Sequence, residues 1–156
     1  MRAWRKWSLD TDRHTLELMP PVDYLRMSYY ERWLARLEAQ PGFRFARLNL
    51  EDREGMASLF AAERPQRVIH LAAQVTIRGS FDRFYEDLDT NLMGTANLVR
   101  TLDPALVRWF TLASSMAVYA DCPAPMPIAE DYATEPLSPY GVGKLAAERV
   151  CRQMLA

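Results

Sequence analysis

Hydrophobic residues recur at helical intervals from Tyr24 onward, where Leu25, Tyr29, Trp33, Leu34 and Leu37 fall on one side of a 3.6-residue period before Pro41-Gly42 ends the run. The spacing predicts an amphipathic helix over 24–40. From Phe43 to Leu50 the pattern alternates, with Phe43, Phe45 and Arg47 set against smaller groups, which predicts a strand. Helical spacing returns over 51–63 through Met56, Leu59 and Phe60, and Arg67-Val-Ile-His-Leu-Ala72 is a short apolar run suited to a strand buried on both faces. After a loop over 73–79, a long helix is predicted over 80–102 with Ser80 as its N-cap, then a second buried strand over 107–113. A proline-rich irregular segment over 114–137 leads to Ser138-Pro139, a cap followed by proline at the first helical position, which opens a final helix.

Strands alternating with helices predict an α/β fold, a doubly wound parallel sheet with helices on both faces, because a parallel crossover needs a connection about as long as a helix. Residues 1–22 stand apart: Arg2 to Asp12 shows no period, and only His14 to Met19 suggests a short strand.

Composition narrows the function more than the fold. With 156 residues, 49% hydrophobic and 25% charged, the chain has the make-up of one globular domain. A net charge of -1 supplies no basic excess for nucleic acid or for an anionic membrane surface, which leaves small molecules as the natural partners. No stretch reaches the roughly 20 apolar residues that span a bilayer, and the basic, tryptophan-containing start Met1 to Trp7 lacks the apolar run of a secretion signal. Cys122 and Cys151 lie far apart, which excludes paired zinc ligands or a redox Cys-x-x-Cys and suits reduced thiols in the cytoplasm. His70 reads as a hydrogen-bonded core histidine, and with His14 as the only other histidine no metal site is expected.

The candidate chemistry sits near the carboxy terminus. Tyr140 and Lys144 are four residues apart at the start of a helix, so both project from one face. A tyrosine hydroxyl, ordinarily titrating near pH 10, is a poor base at neutral pH, but a nearby ammonium favours the phenolate. Gly141 and Gly143 between them would let a ligand approach closely, a reason for two glycines where each costs about 1 kcal/mol against alanine. Taken alone, Tyr-x-x-x-Lys also describes an ordinary exposed helix start. Twenty-five residues upstream of Tyr140, however, Ser115 falls just beyond the end of the buried strand over 107–113, and ligands of open parallel sheets bind beyond the carboxyl ends of strands.

Ala113-Ser-Ser-Met-Ala-Val-Tyr119 followed by Ser138-Pro-Tyr-Gly-Val-Gly-Lys144 resembles the active-site signature of the extended short-chain dehydrogenases, the NAD-dependent epimerase/dehydratase family. The resemblance implies a Rossmann-like domain over 23–156 that binds NAD, with Ser115 contacting the reacting sugar hydroxyl, Tyr140 as the base, and Lys144 tuning Tyr140 and holding the nicotinamide ribose. Val68-Ile-His-Leu-Ala-Ala-Gln74 resembles the family's fourth strand and the turn against the cofactor, which places Leu71, Ala72 and Ala73 beside NAD and Gln74 beside the substrate. Asn91-Leu-Met-Gly-Thr95 resembles the family's Asn-x-x-Gly-Thr, whose asparagine organises the site from the neighbouring helix. Asn49 falls where the family usually has an adenine-binding aspartate, and an amide can still pair with an adenine edge. Tyr29-Tyr30 before Trp33-Leu-Ala-Arg-Leu37, with Gln74-Val-Thr-Ile-Arg78, looks most like UDP-glucuronate 4-epimerases. That implies a nucleotide sugar such as UDP-glucuronate as substrate, oxidised and re-reduced at the sugar C4. Arg78 suits its carboxylate or phosphate, or else faces solvent as a loop arginine.

Where dehydratase relatives place Thr-Asp-Glu, this chain has Ser115-Met116-Ala117, and neither of the last two can move a proton, which favours epimerisation over 4,6-dehydration. No glycine precedes Gly42, so the family's Gly-x-x-Gly-x-x-Gly turn that holds the pyrophosphate has no counterpart, nor does the first strand before it. The carboxy-terminal substrate domain is likewise expected to be absent, and unpaired strand edges predict marginal stability. The family's paired helices, from about Phe81 and from Tyr140, imply a homodimer, and with it the alternative of a non-catalytic interaction module.

Overall fold

In the computed structural model, residues 14, 17–123 and 127–155 are described, Tyr29 by its main chain alone. The basic start from Met1 to Trp7 and the unpatterned stretch to Asp12 lie outside the described residues. The chain divides into two compact units, 1–47 and 48–156.

In the first unit a local signal splits the predicted helix over 24–40. The Ser28 hydroxyl accepts from the Glu31 N–H at 3.3 Å while the Ser28 N–H donates to the Glu31 carboxylate at 2.7 Å. This capping box starts a new helix, so the chain forms α1 (Pro21–Arg26) and α2 (Tyr29–Glu38) with an extended Met27 between them. The strand expected over 14–19 does not form: His14 and Glu17 are helical, the Leu18 N–H donates to the His14 carbonyl at 3.0 Å, and Thr15 and Leu16 are outside the described residues. Nor does the strand expected over 43–50. Alternation shows what a segment could bury, but a strand needs a neighbour for its N–H and C=O groups. The sheet among the described residues contains no such neighbour, and Phe43 and Phe45 remain exposed.

The second unit starts with α3 (Arg53–Glu63), capped by the Asp52 carboxylate accepting from the Gly55 N–H at 2.9 Å. Two parallel strands follow, β1 (Arg67–His70) and β2 (Trp109–Leu112), in the register Arg67 to Trp109 through His70 to Leu112. Both were expected to be buried on two faces, and both bury one at most. Val68 and His70 of β1 point inward while Ile69 is 62% exposed; on β2 Trp109 is 65% exposed. Apolar content alone did not separate a strand covered twice from one covered once.

The long helix predicted over 80–102 is segmented into α4 (Gly79–Asp82), α5 (Phe84–Leu88), one π-helical turn (Asp89–Met93) and α6 (Gly94–Thr101). Arg83, at φ −117° and ψ 53°, interrupts it. α6 packs on α3 and on the final helix, α7 (Pro139–Met154), which begins with Ser138 as cap and Pro139 in the first turn, as the sequence indicated. Met56, Val68, Leu98, Val99, Leu102, Ala147 and Cys151 form the apolar core.

Candidate active site

The largest side chains that are completely buried are polar: Asn91, Thr95, Asp87 and Ser80. All four serve the surroundings of α7. Ser80 was expected to cap its own helix; instead its hydroxyl donates to the Ile77 carbonyl at 2.6 Å and accepts from the Tyr140 N–H at 3.1 Å. The Ser138 hydroxyl accepts from the Gly141 N–H at 3.1 Å. Two of the free N–H groups at the start of α7 are thus satisfied by serines from different parts of the chain, which fixes the backbone that carries Tyr140.

Tyr140 and Lys144 share one face of α7 and are both buried, Lys144 at 4% exposure. Ser115 ends the segment after β2; it is half-buried, and its hydroxyl accepts from the Ala117 N–H at 3.2 Å, opening a 3₁₀ turn (Met116–Val118) that packs on α7. Gly141 is the point of contact. A Cβ there would collide with the Ala117 carbonyl oxygen and stand 2.8 Å from Pro136 Cβ. At Gly143 a Cβ would meet Leu88, Asp87 and Asn91 at 3.5–3.7 Å. The expectation that these glycines open space for a ligand is corrected: the space at Gly141 is filled by the chain's own backbone, and Gly143 lies against α5 and the π-turn.

Asn91 sits in the π-turn and ties down the loop after β1. Its side-chain Oδ1 accepts from the Gln74 N–H at 2.9 Å, and its Nδ2 donates to the Gln74 main-chain carbonyl at 3.0 Å and to Asp87 Oδ1 at 3.1 Å. Both amide hydrogens are therefore used within the protein, and Asn91 acts by placing Gln74. The chain of bonds continues, with Thr95 donating to the Asn91 carbonyl at 2.7 Å and His70 Nε2 lying 2.9 Å from the Thr95 hydroxyl. His70 is thus the hydrogen-bonded core residue expected. Burial, and secondarily Lys144, push its pKa down.

The other expected site residues are less engaged. Leu71 and Ala72 are exposed and Ala73 is half-buried along the loop above β1, while the Gln74 side chain accepts from Thr76 N–H and hydroxyl at 2.9 and 2.8 Å. Arg78 is exposed before α4, and Asn49 is exposed, its side-chain Oδ1 accepting from the nearby Glu51 N–H at 3.4 Å and its main-chain carbonyl from the Asp52 N–H at 3.0 Å. Asn49 and Arg78 are exposed, whereas the 3₁₀ turn after Ser115, α5 and the π-turn whose Asn91 bonds Gln74 all pack on α7 with its Tyr140 and Lys144. A cleft of about 430 Å³ lined by Ile77, Phe81, Met116, Leu137 and Ser138 opens beside it.

Burial pushes the Lys144 ammonium below its ordinary range, opposed by Glu148, Asp87 and Cys151 in that order. Among the described residues neither Lys144 Nζ nor Tyr140 Oη has a hydrogen-bond partner, so both are available to the hydroxyls of a nicotinamide ribose or a sugar. That half of NAD fits the residues present, while no glycine-rich turn for its phosphates lies among the described residues. Sequence reading missed Asp87, although helical spacing from Asn91 and Thr95 places an acid on that same buried face.

The sequence model of the GDP-mannose 4,6 dehydratase family matches residues 22–155. A UDP-glucuronate 4-epimerase of Thermodesulfobacterium geofontis is 32% identical over 132 residues, which cover 81% of this chain and 40% of that enzyme. Among solved structures, the UDP-Glc/GlcNAc 4-epimerase of Campylobacter jejuni superposes with a TM-score of 0.74 at 28% identity, over 83% of this chain and 39% of its own. The UDP-glucose 4-epimerase of Brucella ovis, solved in complex with NAD, gives a TM-score of 0.64 at 28% identity, over 70% of this chain and 33% of its own. The chain spans well under half the length of each, and its parallel strands and helices are part of a Rossmann-like fold.

Proposed function

The chain belongs to the NAD-dependent epimerase/dehydratase family of extended short-chain dehydrogenases, and on that premise we propose that it acts on a nucleotide sugar as a 4-epimerase of the UDP-glucuronate or UDP-hexose class. The observation that carries this reading is the burial of Tyr140 and Lys144 on one face of α7, with the Ser115 turn seated against the same helix at Gly141. In the proposed reaction Tyr140 Oη takes the proton of the C4 hydroxyl, Ser115 holds that hydroxyl by a hydrogen bond, and the Lys144 ammonium favours the tyrosinate and binds the nicotinamide ribose. NAD, when bound, supplies a reversible hydride acceptor. Leu71, Ala72 and Ala73 would lie beside it, Asn49 at its adenine, and Gln74 and Arg78 toward the sugar nucleotide. Met116 and Ala117 offer no acid or base, which favours epimerisation over loss of water.

Calorimetric titration of the purified chain with NAD, followed by incubation with UDP-glucuronate, tests the reading. With no glycine-rich turn to hold the pyrophosphate, weak NAD binding and at most slow conversion to UDP-galacturonate are expected; no heat of binding at millimolar NAD overturns the reading.

A second reading rests on the exposed Phe81, Tyr85 and Val142 on α4, α5 and α7, the helices through which the resemblance implies pairing. Under it the chain is a homodimeric interaction module, and self-association persists without NAD. A strict monomer by light scattering removes this reading. No helix among the described residues is long and apolar enough to cross a membrane, and the proposed site of action is the cytoplasm.

A further inference from the structure

Three short links converge on the first turn of α7 and set the walls of the neighbouring cleft. The Ser138 hydroxyl accepts from the Gly141 N–H, the Ala117 carbonyl closes on Gly141, and the Ile77 carbonyl accepts from the Ser80 hydroxyl that itself holds the Tyr140 N–H. Ile77, Ala117 and Ser138 all line the cleft of about 430 Å³, so it opens at the turn that carries Tyr140. Met116, the residue after Ser115, lines it too.

The lining is apolar where side chains are large. Ile77, Phe81, Met116 and Leu137 are 47–71% exposed, and apolar side chains gathered on one concavity mark a binding surface where scattered ones do not. Among the described lining residues Asp121 alone is charged, and it is an anion. Arg78, next to Ile77 in the chain, is exposed and does not line the cleft, which leaves it for the pyrophosphate.

In the proposed reaction the C4 hydroxyl lies between Ser115 and Tyr140. C3 and C5 flank C4 in the ring, so their substituents are the next groups to meet walls built from Met116, Ser138 and Ile77. At C5 a hexose carries a hydroxymethyl group, or a methyl group if deoxygenated at C6, and a hexuronate carries a carboxylate. An ionised carboxylate set among these apolar side chains gives up hydration without gaining a cation, and Asp121 repels it, weakly because that residue faces solvent. An uncharged substituent escapes both costs and gains contact with Met116, whose unbranched side chain adapts to it.

We propose that this cleft receives the C5 side of the sugar ring and selects a neutral hexose over a hexuronate, which narrows the substrate to the UDP-hexose class. The inference rests on the reading of Ser115 and Tyr140 as the C4 site. Met116 and Leu137 are then specificity-determining residues, acting by the absence of any partner for a carboxylate.

Methyl NMR of the full chain, with ¹³C in its eight methionine methyl groups, tests this, and the signal lost in M116L is that of Met116. UDP-glucose is expected to shift the Met116 signal, and UDP alone to leave it in place. From the same titrations UDP-glucose is expected to bind at least about tenfold more tightly than UDP-glucuronate, and M116K, which puts an ammonium at the cleft, to narrow that gap severalfold. UDP-glucuronate binding the parent chain as tightly as UDP-glucose, a gap unchanged in folded M116K, or a Met116 signal indifferent to bound UDP-glucose overturns the proposal and leaves the 4-epimerase reading standing. Should M116K fail to fold, the parent-chain comparison decides. Binding of neither nucleotide sugar at millimolar concentration overturns that reading, and the proposal with it.

Discussion

The two faces of β1 meet opposite surroundings. Inward, Val68 and His70 are buried, and His70 joins the bonds through Thr95, Asn91 and Gln74 that end under α7. Outward, Ile69 and, just beyond the strand, Leu71 are 62% and 68% exposed. Apolar Ile69 and Leu71 thus lie on the open side, while the enclosed side combines apolar Val68 with polar His70. The helix-packed region holds its shape by directional bonds between named partners, whereas the open face of the sheet contributes apolar area without a partner to bury it. Side-chain chemistry is therefore tightly constrained at the candidate site and loosely constrained across the sheet.

The sharpest test of that contrast lies within α7. Gly141→Ala forces a Cβ into the Ala117 carbonyl, and because backbone must move, a loss of about 2–3 kcal/mol in denaturant-derived stability is expected. Gly143→Ala meets ordinary contacts at 3.5 Å or more and is expected to gain up to about 1 kcal/mol from helix propensity. Equal losses at both positions would break the account of the Ser115 turn as seated on Gly141.

Next in size, Ser80→Ala leaves the Tyr140 N–H buried without an acceptor, a cost of about 1–2 kcal/mol, while Ile69→Ser on the open face should stay within about 0.5 kcal/mol of the parent. A larger effect at Ile69 than at Ser80 would invert the comparison.

The smallest expected effect concerns pH. Because burial, and then Lys144, hold His70 below its ordinary pKa of 6.5, the unfolded chain takes a proton that the folded chain resists. Stability from neutral His70 is therefore full above about pH 6.5 and declines as the pH falls toward the depressed folded value. Melts between pH 7 and 5 should show this decline, and His70→Asn should flatten it.

The parts of this arrangement that could be read from the sequence are local. Ser138-Pro139 announces a helix start because cap and first turn are neighbours in the chain, and Tyr140 and Lys144 share a face by their spacing alone. The break at Ser28 was equally local and readable, since Glu31 stands three residues on, but the longer apolar period masked it. Other features depend on distant partners. The alternation of 43–50 says nothing about whether a neighbouring strand exists, the serine at position 80 satisfies a helix far along the chain, and the neighbour of Gly141 is a carbonyl 24 residues back. Asp87 was hidden for a related reason: an acid between apolar helical positions looks solvated until the packing of α7 encloses it.

The bond between Ser80 and Tyr140 spans 60 residues. Closing so long a loop costs chain entropy before any contact repays it, and β2 and the segment after it must already be placed for the ends to meet. The first turn of α7 is thus tied to a residue far back in the chain, and the placement of Tyr140 depends on long-range closure rather than on its own helix alone.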